Sequence, residues 1–340
     1  MIVSVLGAGT MGHGIAEVFA IYGNKVYLYD IFDEALNKAI QRIRESLIKL
    51  KEKGKLKSDI NNIMSNIVTT RDLAIAVKDS ELIIEAVPED FEIKSNLFKK
   101  VSEYANINSI IATNTSSIPI TELSISVKNP HRFLGMHFFN PPVLMRLVEV
   151  IKGNYTADNV FLTAIEIVKS IEKVPIAVRK DVVGFVVNRI LFRIFSTACK
   201  LLKNYSHEEI DYVAKYELGF PMGIFELLDY TGIDINYQIS NEVRRRGFDF
   251  TCDYFEKLVK EGRLGLKTGK GFYDWSSNKP KIPESVSKKP RKEELLIEAI
   301  KEAYWLEMEG VASRDDINIA TKLGLNWPKG IFEYAKEFNL

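Results

Sequence analysis

Ile2-Val-Ser-Val-Leu-Gly-Ala-Gly-Thr-Met-Gly12 is the stretch that decides the fold. Ile2 to Leu6 is a short apolar run that reads as a buried strand. Gly7-Ala-Gly9-Thr10-Met11-Gly12 follows, and a helical pattern opens at once with Ile15, Ala16, Val18 and Phe19. The glycines have distinct physical roles. Gly7 makes the tight turn, Gly9 lets backbone approach a pyrophosphate, and Gly12 lets helix and strand pack closely. The start of the helix then offers unpaired N–H groups and the positive end of its dipole to the phosphates. A second strand, Lys25 to Tyr29, ends in Asp30, eighteen residues past Gly12. A carboxylate there is placed to hold ribose hydroxyls and repels a 2′-phosphate, and Ile31 and Phe32 offer no cation to hold one. The expected cofactor is NAD rather than NADP.

Outward from this unit the chain keeps alternating between elements. Asp33 to about Asn66 is a polar, Lys-rich helical region broken near Gly54, and on the residues alone its Ser46 and Lys53 read as part of a solvated hairpin. Strands resume at Asn66 to Thr70, Leu82 to Glu85 and Ile110 to Thr113, with a helix after Asp90. In an open parallel sheet the ligand lies past the C-terminal strand ends. Glu89, Ser116 and Asn140 all fall just past such ends and line one crevice. Gly135-Met-His137-Phe-Phe-Asn140-Pro-Pro142 then sets a histidine at a strand end before a rigid turn, and Leu147-Val-Glu149-Val-Ile151 sets a carboxylate on the next strand. Such a pair is the minimal general acid/base unit, since the carboxylate fixes the tautomer and stabilises the imidazolium. His13, at the loop–helix junction, reads as a surface or packing residue. A helix over about Ala157 to Glu172 and a strand near Pro175 to Val178 finish this half.

Beyond Asp181 the strand pattern nearly stops. Gly184-Phe-Val-Val-Asn188-Arg-Ile-Leu191 opens an apolar helix. Its amide at Asn188 either satisfies nearby backbone or faces the crevice. A repeat follows: Ser206 to Lys215 and Phe220 to Glu226 recur as Ser313 to Lys322 and Trp327 to Glu333, at a constant offset. The helical unit is therefore expected twice, the second copy partial. The Gly-rich stretch Lys267-Thr-Gly-Lys-Gly-Phe-Tyr-Asp-Trp275 reads as a loop able to fold back over the cofactor, and the Ser-, Pro- and Lys-rich stretch after it as an exposed linker. The expected division is 1–183 for a dinucleotide-binding α/β domain with a doubly wound sheet, 184–275 for an all-α domain, 276–292 for the linker and 293–340 for the second helical copy.

Composition narrows the function classes. Lys+Arg 46 against Asp+Glu 45 gives a net charge of +1, which gives no support to nucleic acid or an anionic membrane as main partner. Cys199 and Cys252 stand far apart in no metal-ligand spacing, so neither a disulfide nor a metal site is expected, and a cytoplasmic setting fits. No apolar run is long enough for a bilayer, and the first strand at Ile2 leaves no room for a signal peptide.

Along nearly its whole length the chain resembles the 3-hydroxyacyl-CoA dehydrogenase family. The matching motifs are GAGTMG, EAVPED, ATNTSS, HFFNPP with LVEV, GFVVNR and KTGKGFY, in that order. The resemblance implies a Rossmann-type domain followed by the helical one, and NAD-dependent oxidation of (S)-3-hydroxyacyl-CoA to 3-oxoacyl-CoA, 3-hydroxybutyryl-CoA included. It implies His137 as general base, Glu149 as its orienting carboxylate, Ser116 as donor to the substrate oxygen and Asn188 as contact to the thioester side. It matches Gly7, Gly9, Thr10, Met11, Gly12, Asp30, Glu89, Lys94, Ser116, Asn140 and Lys267 to cofactor contacts, and Ser46 and Lys53 to CoA contacts. It further implies that the second helical copy covers the face through which single-copy members dimerise, giving a monomer or a dimer made otherwise. A link to an enoyl-CoA hydratase, as in multifunctional members, is also implied, and the chain's end reads as a place where a longer polypeptide could continue. Two other readings compete: a relative acting on a free sugar or hydroxy acid, as gulonate-type members do, and an inactive crystallin-like cofactor binder.

Overall fold

A computed structural model describes residues 1–277 and 279–340, so Asn278 of the expected linker lies outside the described residues. The chain divides into two compact units, Met1–Val182 and Val183–Leu340.

The first unit is built on β1 (Ile2–Leu6), α1 (Thr10–Ile21), β2 (Lys25–Tyr29), α2 (Asp33–Glu52), α3 (Ile60–Ser65), β3 (Ile67–Thr70), α4 (Leu73–Val77), β4 (Leu82–Glu85), α5 (Phe91–Tyr104), β5 (Ile110–Thr113), α6 (Ile120–Ser124), β6 (Phe133–Phe138), β7 (Leu147–Ile151), α7 (Asp158–Ser170) and β8 (Val174–Val178). They form one eight-stranded sheet in the order β3-β2-β1-β4-β5-β6-β7-β8. β4, β5, β6 and β7 are buried along their whole length, as expected of strands covered on both faces. The core gathers Val3, Val5, Ile15, Phe19, Leu28, Ile84 and Met136 between sheet and helices.

Two features of this sheet position the site. The strand order reverses between β1 and β4, which opens a crevice at their C-terminal ends. Gly7, at φ +103°, sits there so tightly that a Cβ would lie 2.6 Å from the Ala86 carbonyl oxygen after β4. The sheet is also not wholly parallel. β7 runs antiparallel to β6, with His137 directly opposite Glu149, because residues 139–146 form a short turn rather than a crossover helix.

The second unit is helical: α8 (Val187–Leu201), α9 (His207–Tyr212), α10 (Ile224–Thr231), α11 (Ile233–Arg245), α12 (Phe255–Lys260), α13 (Lys292–Met308), α14 (Arg314–Gly324) and α15 (Ile331–Glu337). The repeat is visible atom by atom. Ser206 and Ser313 cap α9 and α14, each accepting from the backbone N–H three residues on. Asp211 accepts from the N–H groups of Phe225 and Glu226 at the start of α10. Asn318, at the equivalent position, accepts from Phe332 N–H at the start of α15. The copies meet at equivalent residues: the Phe220 and Trp327 rings stack with centroids 4.2 Å apart, and the Tyr334 hydroxyl donates to the Leu218 carbonyl oxygen.

One expectation is corrected here. Cys199 and Cys252 form a disulfide, because the fold brings their Cα atoms within 5.3 Å although 53 residues separate them. Unpaired thiols therefore no longer speak for a reducing compartment. Within the helical unit, the Asp229 carboxylate accepts from Phe272 N–H, Tyr273 N–H and Trp275 Nε1–H and anchors the Lys267-to-Trp275 stretch. α8 is mostly apolar, as expected, and carries Arg189 and Arg193 in a charged cluster with Glu302 of α13.

Candidate active site

The glycine loop and the acid after β2 open onto one cavity of about 760 Å³, lined by Gly7, Gly9, Thr10, Met11, Asp30 and Ala86 among others. Its size is that of a small-molecule site. The glycines divide their roles as the sequence suggests. A Cβ on Gly12 would lie 1.7 Å from the Gly7 carbonyl oxygen, whereas one on Gly9 would meet no protein atom within 4 Å. The loop is therefore closed toward the protein at Gly7 and Gly12 and open at Gly9. Gly9 is also the N-cap of α1, whose first turn has no side-chain cap. Asp30 accepts from Ala8 N–H at 2.8 Å and Phe32 N–H at 3.1 Å, which fixes its carboxylate at the cavity wall. A dinucleotide with a pyrophosphate and an unphosphorylated ribose fits this set. Ile93, Asn96, Leu97 and Lys100 of α5 form the far wall, which the sequence motifs did not signal.

At the ends of β4 and β5 lies a network of buried charge. Lys94 has three protein acceptors: Glu85 at 2.6 Å, Glu89 at 3.2 Å and the Val87 carbonyl oxygen at 3.3 Å. Its residue is 1% exposed. Its ammonium thus meets three acceptors within the protein. Burial, the largest influence on Lys94, disfavours its charge, but the two carboxylates outweigh it and hold its pKa above the ordinary value. Burial pushes Glu85 upward against the pull of Lys94. Burial would raise Glu89 too, yet Lys94 together with donors from Thr115, Ser116 and Ser117 brings it down to about 2. Glu89 Oε1 accepts from the Thr115 hydroxyl at 2.6 Å and from the Ser116 and Ser117 N–H groups at 3.0 Å each. It thus shapes the loop that presents Ser116. Glu85 and Thr113, joined at 2.7 Å, were not singled out from the sequence, where both read as ordinary strand-end residues.

The same loop is tied to the next strand: Asn114 Oδ1 accepts from Phe138 N–H at 2.8 Å. One residue earlier, His137 Nδ1 meets Glu149 Oε2 at 2.6 Å. Glu149 is fully buried and His137 nearly so. Lys173 Nζ donates to the carbonyl oxygens of Pro142 (2.6 Å) and Met145 (2.8 Å), fastening the turn that joins the two strands. Pro142 also seats against Gly14 of α1, where a Cβ would lie 2.8 Å from its Cδ. Asn140 is exposed on that turn. The first unit therefore brings Ser116, His137, Glu149 and Asn140 to neighbouring strand ends, next in the sheet to the glycine crevice.

The remaining expected residues are on other elements. Ser46 and Lys53 are on α2 and at its C-terminal cap, half-buried and exposed respectively. Ser46 lies against Glu17 of α1, whose carboxyl is pushed up to about 7 by burial, with the Ser46 hydroxyl opposing. Asn188 and Lys267 belong to the helical unit. Asn188 is half-buried in the first turn of α8, and Lys267 pairs with Asp234. No group of His, Cys, Asp and Glu able to hold a metal occurs among the described residues. No helix among them is long and apolar enough to cross a membrane.

Comparison with known proteins places this geometry. Residues 2–182 match the family model for the NAD binding domain of 3-hydroxyacyl-CoA dehydrogenase, and residues 184–275 match that for its C-terminal domain. The 3-hydroxybutyryl-CoA dehydrogenase of Clostridioides difficile is 40% identical over 282 residues, 81% of this chain and 100% of that protein. The human mitochondrial hydroxyacyl-coenzyme A dehydrogenase is 38% identical over 285 residues, 80% of this chain and 90% of that one. The crystal structure of 3-hydroxybutyryl-CoA dehydrogenase from Escherichia coli K12 superposes with a TM-score of 0.90 at 30% identity, covering 99% of this chain and 91% of its own.

Proposed function

The chain belongs to the 3-hydroxyacyl-CoA dehydrogenase family, and from that membership we propose that it interconverts (S)-3-hydroxyacyl-CoA and 3-oxoacyl-CoA with NAD, short-chain 3-hydroxybutyryl-CoA among its substrates. The observation that carries the catalytic assignment is the buried His137–Glu149 pair, 2.6 Å apart, beside the Ser116 loop. The Gly7–Gly12 loop and Asp30 would hold NAD, which would supply the acceptor for the C3 hydride.

The protein's own groups do the rest. His137 takes the 3-hydroxyl proton in oxidation and returns it in reduction, so neutral imidazole is the working form in one direction and imidazolium in the other. Glu149 accepts from Nδ1–H and so holds the tautomer whose Nε2 is bare and able to take that proton. Ser116 donates to the substrate oxygen, and Asn188 holds the thioester side. Asp30 binds the ribose hydroxyls, and Gly7 to Gly12 cradle the pyrophosphate. Glu89 and Lys94 act by organising the Ser116 loop, with Asn140 and Lys267 completing the cofactor's surroundings. Ser46 and Lys53 contact CoA.

Acetoacetyl-CoA should oxidise NADH while free acetoacetate does not, and His137→Gln should lose most turnover yet bind NADH normally. Reduction of free acetoacetate at a comparable rate would favour the hydroxy-acid reading. No rate with any acyl-CoA would favour an inactive binder. We also infer a monomer, because the second copy packs on the first through Phe220 and Trp327; light scattering on the eluted protein tests this. We place the protein in the cytoplasm, and free-thiol counts on protein alkylated at lysis check this against the Cys199–Cys252 bond. Since 3-hydroxyacyl-CoA is the hydration product of an enoyl-CoA, an enoyl-CoA hydratase is the expected functional neighbour.

A further inference from the structure

The second helical copy keeps the helix equivalent to α8 but not its amide. At the repeat offset Asn188 corresponds to Leu295 of α13, which is fully buried. The copy therefore offers no second thioester contact of that kind. It offers Glu302 instead. This carboxylate, 6% exposed, takes the Nε–H of both Arg189 and Arg193 on successive turns of α8, the latter at 2.6 Å.

Arg189 follows Asn188 directly in the chain, and it is held on every side. Its guanidinium lies 4.4 Å from the Phe248 ring centroid and 4.3 Å from that of Trp305, the latter again from the second copy. It also donates to the Val183 carbonyl oxygen at 3.2 Å. That bond closes the turn leading into α8, in which Gly184 and then Phe185 take φ of 76° and 51°. A bulky residue in the left-handed region persists only where its surroundings over-determine it. Without the carboxylate, two like charges on the same Phe248 ring would lose the anion they share.

We propose that Glu302 is a positioning residue for the reaction: through Arg189 it fixes the first turn of α8 and so sets the Asn188 amide on the acyl-CoA thioester. The second copy then does more than cover the first; it completes the substrate side of the site. The inference rests on the reading of Asn188 as the thioester contact.

The test uses the full chain, with kcat/KM for 3-hydroxybutyryl-CoA and NADH affinity by fluorescence as readouts. Glu302→Gln should lower kcat/KM by about ten- to a hundredfold, on the order of a misplaced contact, with NADH affinity unchanged. Glu302→Asp should recover part of the loss. Trp305→Leu, which strips one face from Arg189 without stranding a charge, should move kcat/KM the same way and serves if Glu302→Gln does not fold. Tyr334→Phe, which breaks a contact between the copies away from α8, should lower the melting temperature alone. Asn188→Ala should be impaired, and the Asn188→Ala/Glu302→Gln double variant should lose less than the product of the two single losses. Wild-type kcat/KM in Glu302→Gln and Trp305→Leu with Asn188→Ala impaired would overturn the inference while leaving the site reading intact. An unimpaired Asn188→Ala would overturn the site reading itself. Equal losses in Tyr334→Phe and Glu302→Gln would reduce the effect to general stability and also overturn it.

Discussion

Replacing Glu149 with glutamine is the sharpest probe of the proposed chemistry, because the change is nearly isosteric and the site is closed. Glu149 is fully buried and its Oε2 lies 2.6 Å from His137 Nδ1. The substitution keeps volume and the β6–β7 register, and removes one negative charge facing the ring. A hydrogen bond to a charged partner in such a setting is worth about 1.5–3 kcal/mol. If the bond acts fully in the transition state, where the ring is becoming imidazolium, kcat should fall by about 10- to 150-fold, at about 1.4 kcal/mol for each factor of ten. An amide can also present its NH2 group to Nδ1 and select the other tautomer, which would push the loss toward or past the upper figure. Cofactor binding should not change, because Glu149 does not line the Gly7–Asp30 cavity. The assay is NADH consumption with acetoacetyl-CoA under saturating conditions, beside NADH binding by fluorescence. A variant with kcat within threefold of wild type and normal binding would refute the assignment of Glu149 as the orienting carboxylate. A loss confined to NADH affinity would refute it as well.

Three other expectations follow from the same structure. Gly9→Ala should leave stability within about 0.5 kcal/mol of wild type, since its Cβ meets no protein atom, yet weaken NADH binding by at least about tenfold as the methyl enters the pyrophosphate's path; calorimetric titration and thermal melts separate the two effects. Glu89 has its pKa depressed from 4.5 to about 2, so its contribution is complete above the unfolded value and is lost as pH falls toward 2. That shift is at most about 3.4 kcal/mol, and a side chain 37% exposed keeps about 1–2 of it, so unfolding free energies of wild type and Glu89→Gln from urea titrations should differ by that amount at pH 7 and converge in acid; a gap independent of pH would contradict the network. Reducing the Cys199–Cys252 bond, which closes 53 residues, should destabilise the helical unit by up to about 4 kcal/mol, seen as a lower melting temperature in dithiothreitol.

How much of this was legible beforehand depended on whether the signal was local. Gly7, Gly9, Gly12 and Asp30 could be read because each answers a short-range demand: a left-handed turn, open space, close packing, a strand end. The His137–Glu149 pairing was legible for the same reason, since a short turn between two apolar runs places them opposite each other. Glu85, Thr113 and Asn114 were missed because their roles exist only where β4, β5 and β6 lie side by side, and alone they read as ordinary turn or strand-end residues. The pairing of Lys94 with Glu85 and Glu89 was not legible either, because position shows a lysine near the strand ends but not the two carboxylates that meet it. The Cys199–Cys252 bond and the Arg189–Glu302 cluster join segments far apart in sequence, and no periodicity or spacing carries such information.

The stacking of Phe220 on Trp327 has one more consequence. Each ring occupies the same place in its own repeat, so the contact is of the isologous kind that two separate molecules make about a two-fold axis. Here both halves belong to one polypeptide. Their encounter is set by tether length, at an effective molarity that dilution does not lower. The helical face buried by this contact is therefore covered in a single molecule as fully at trace levels as in a concentrated solution.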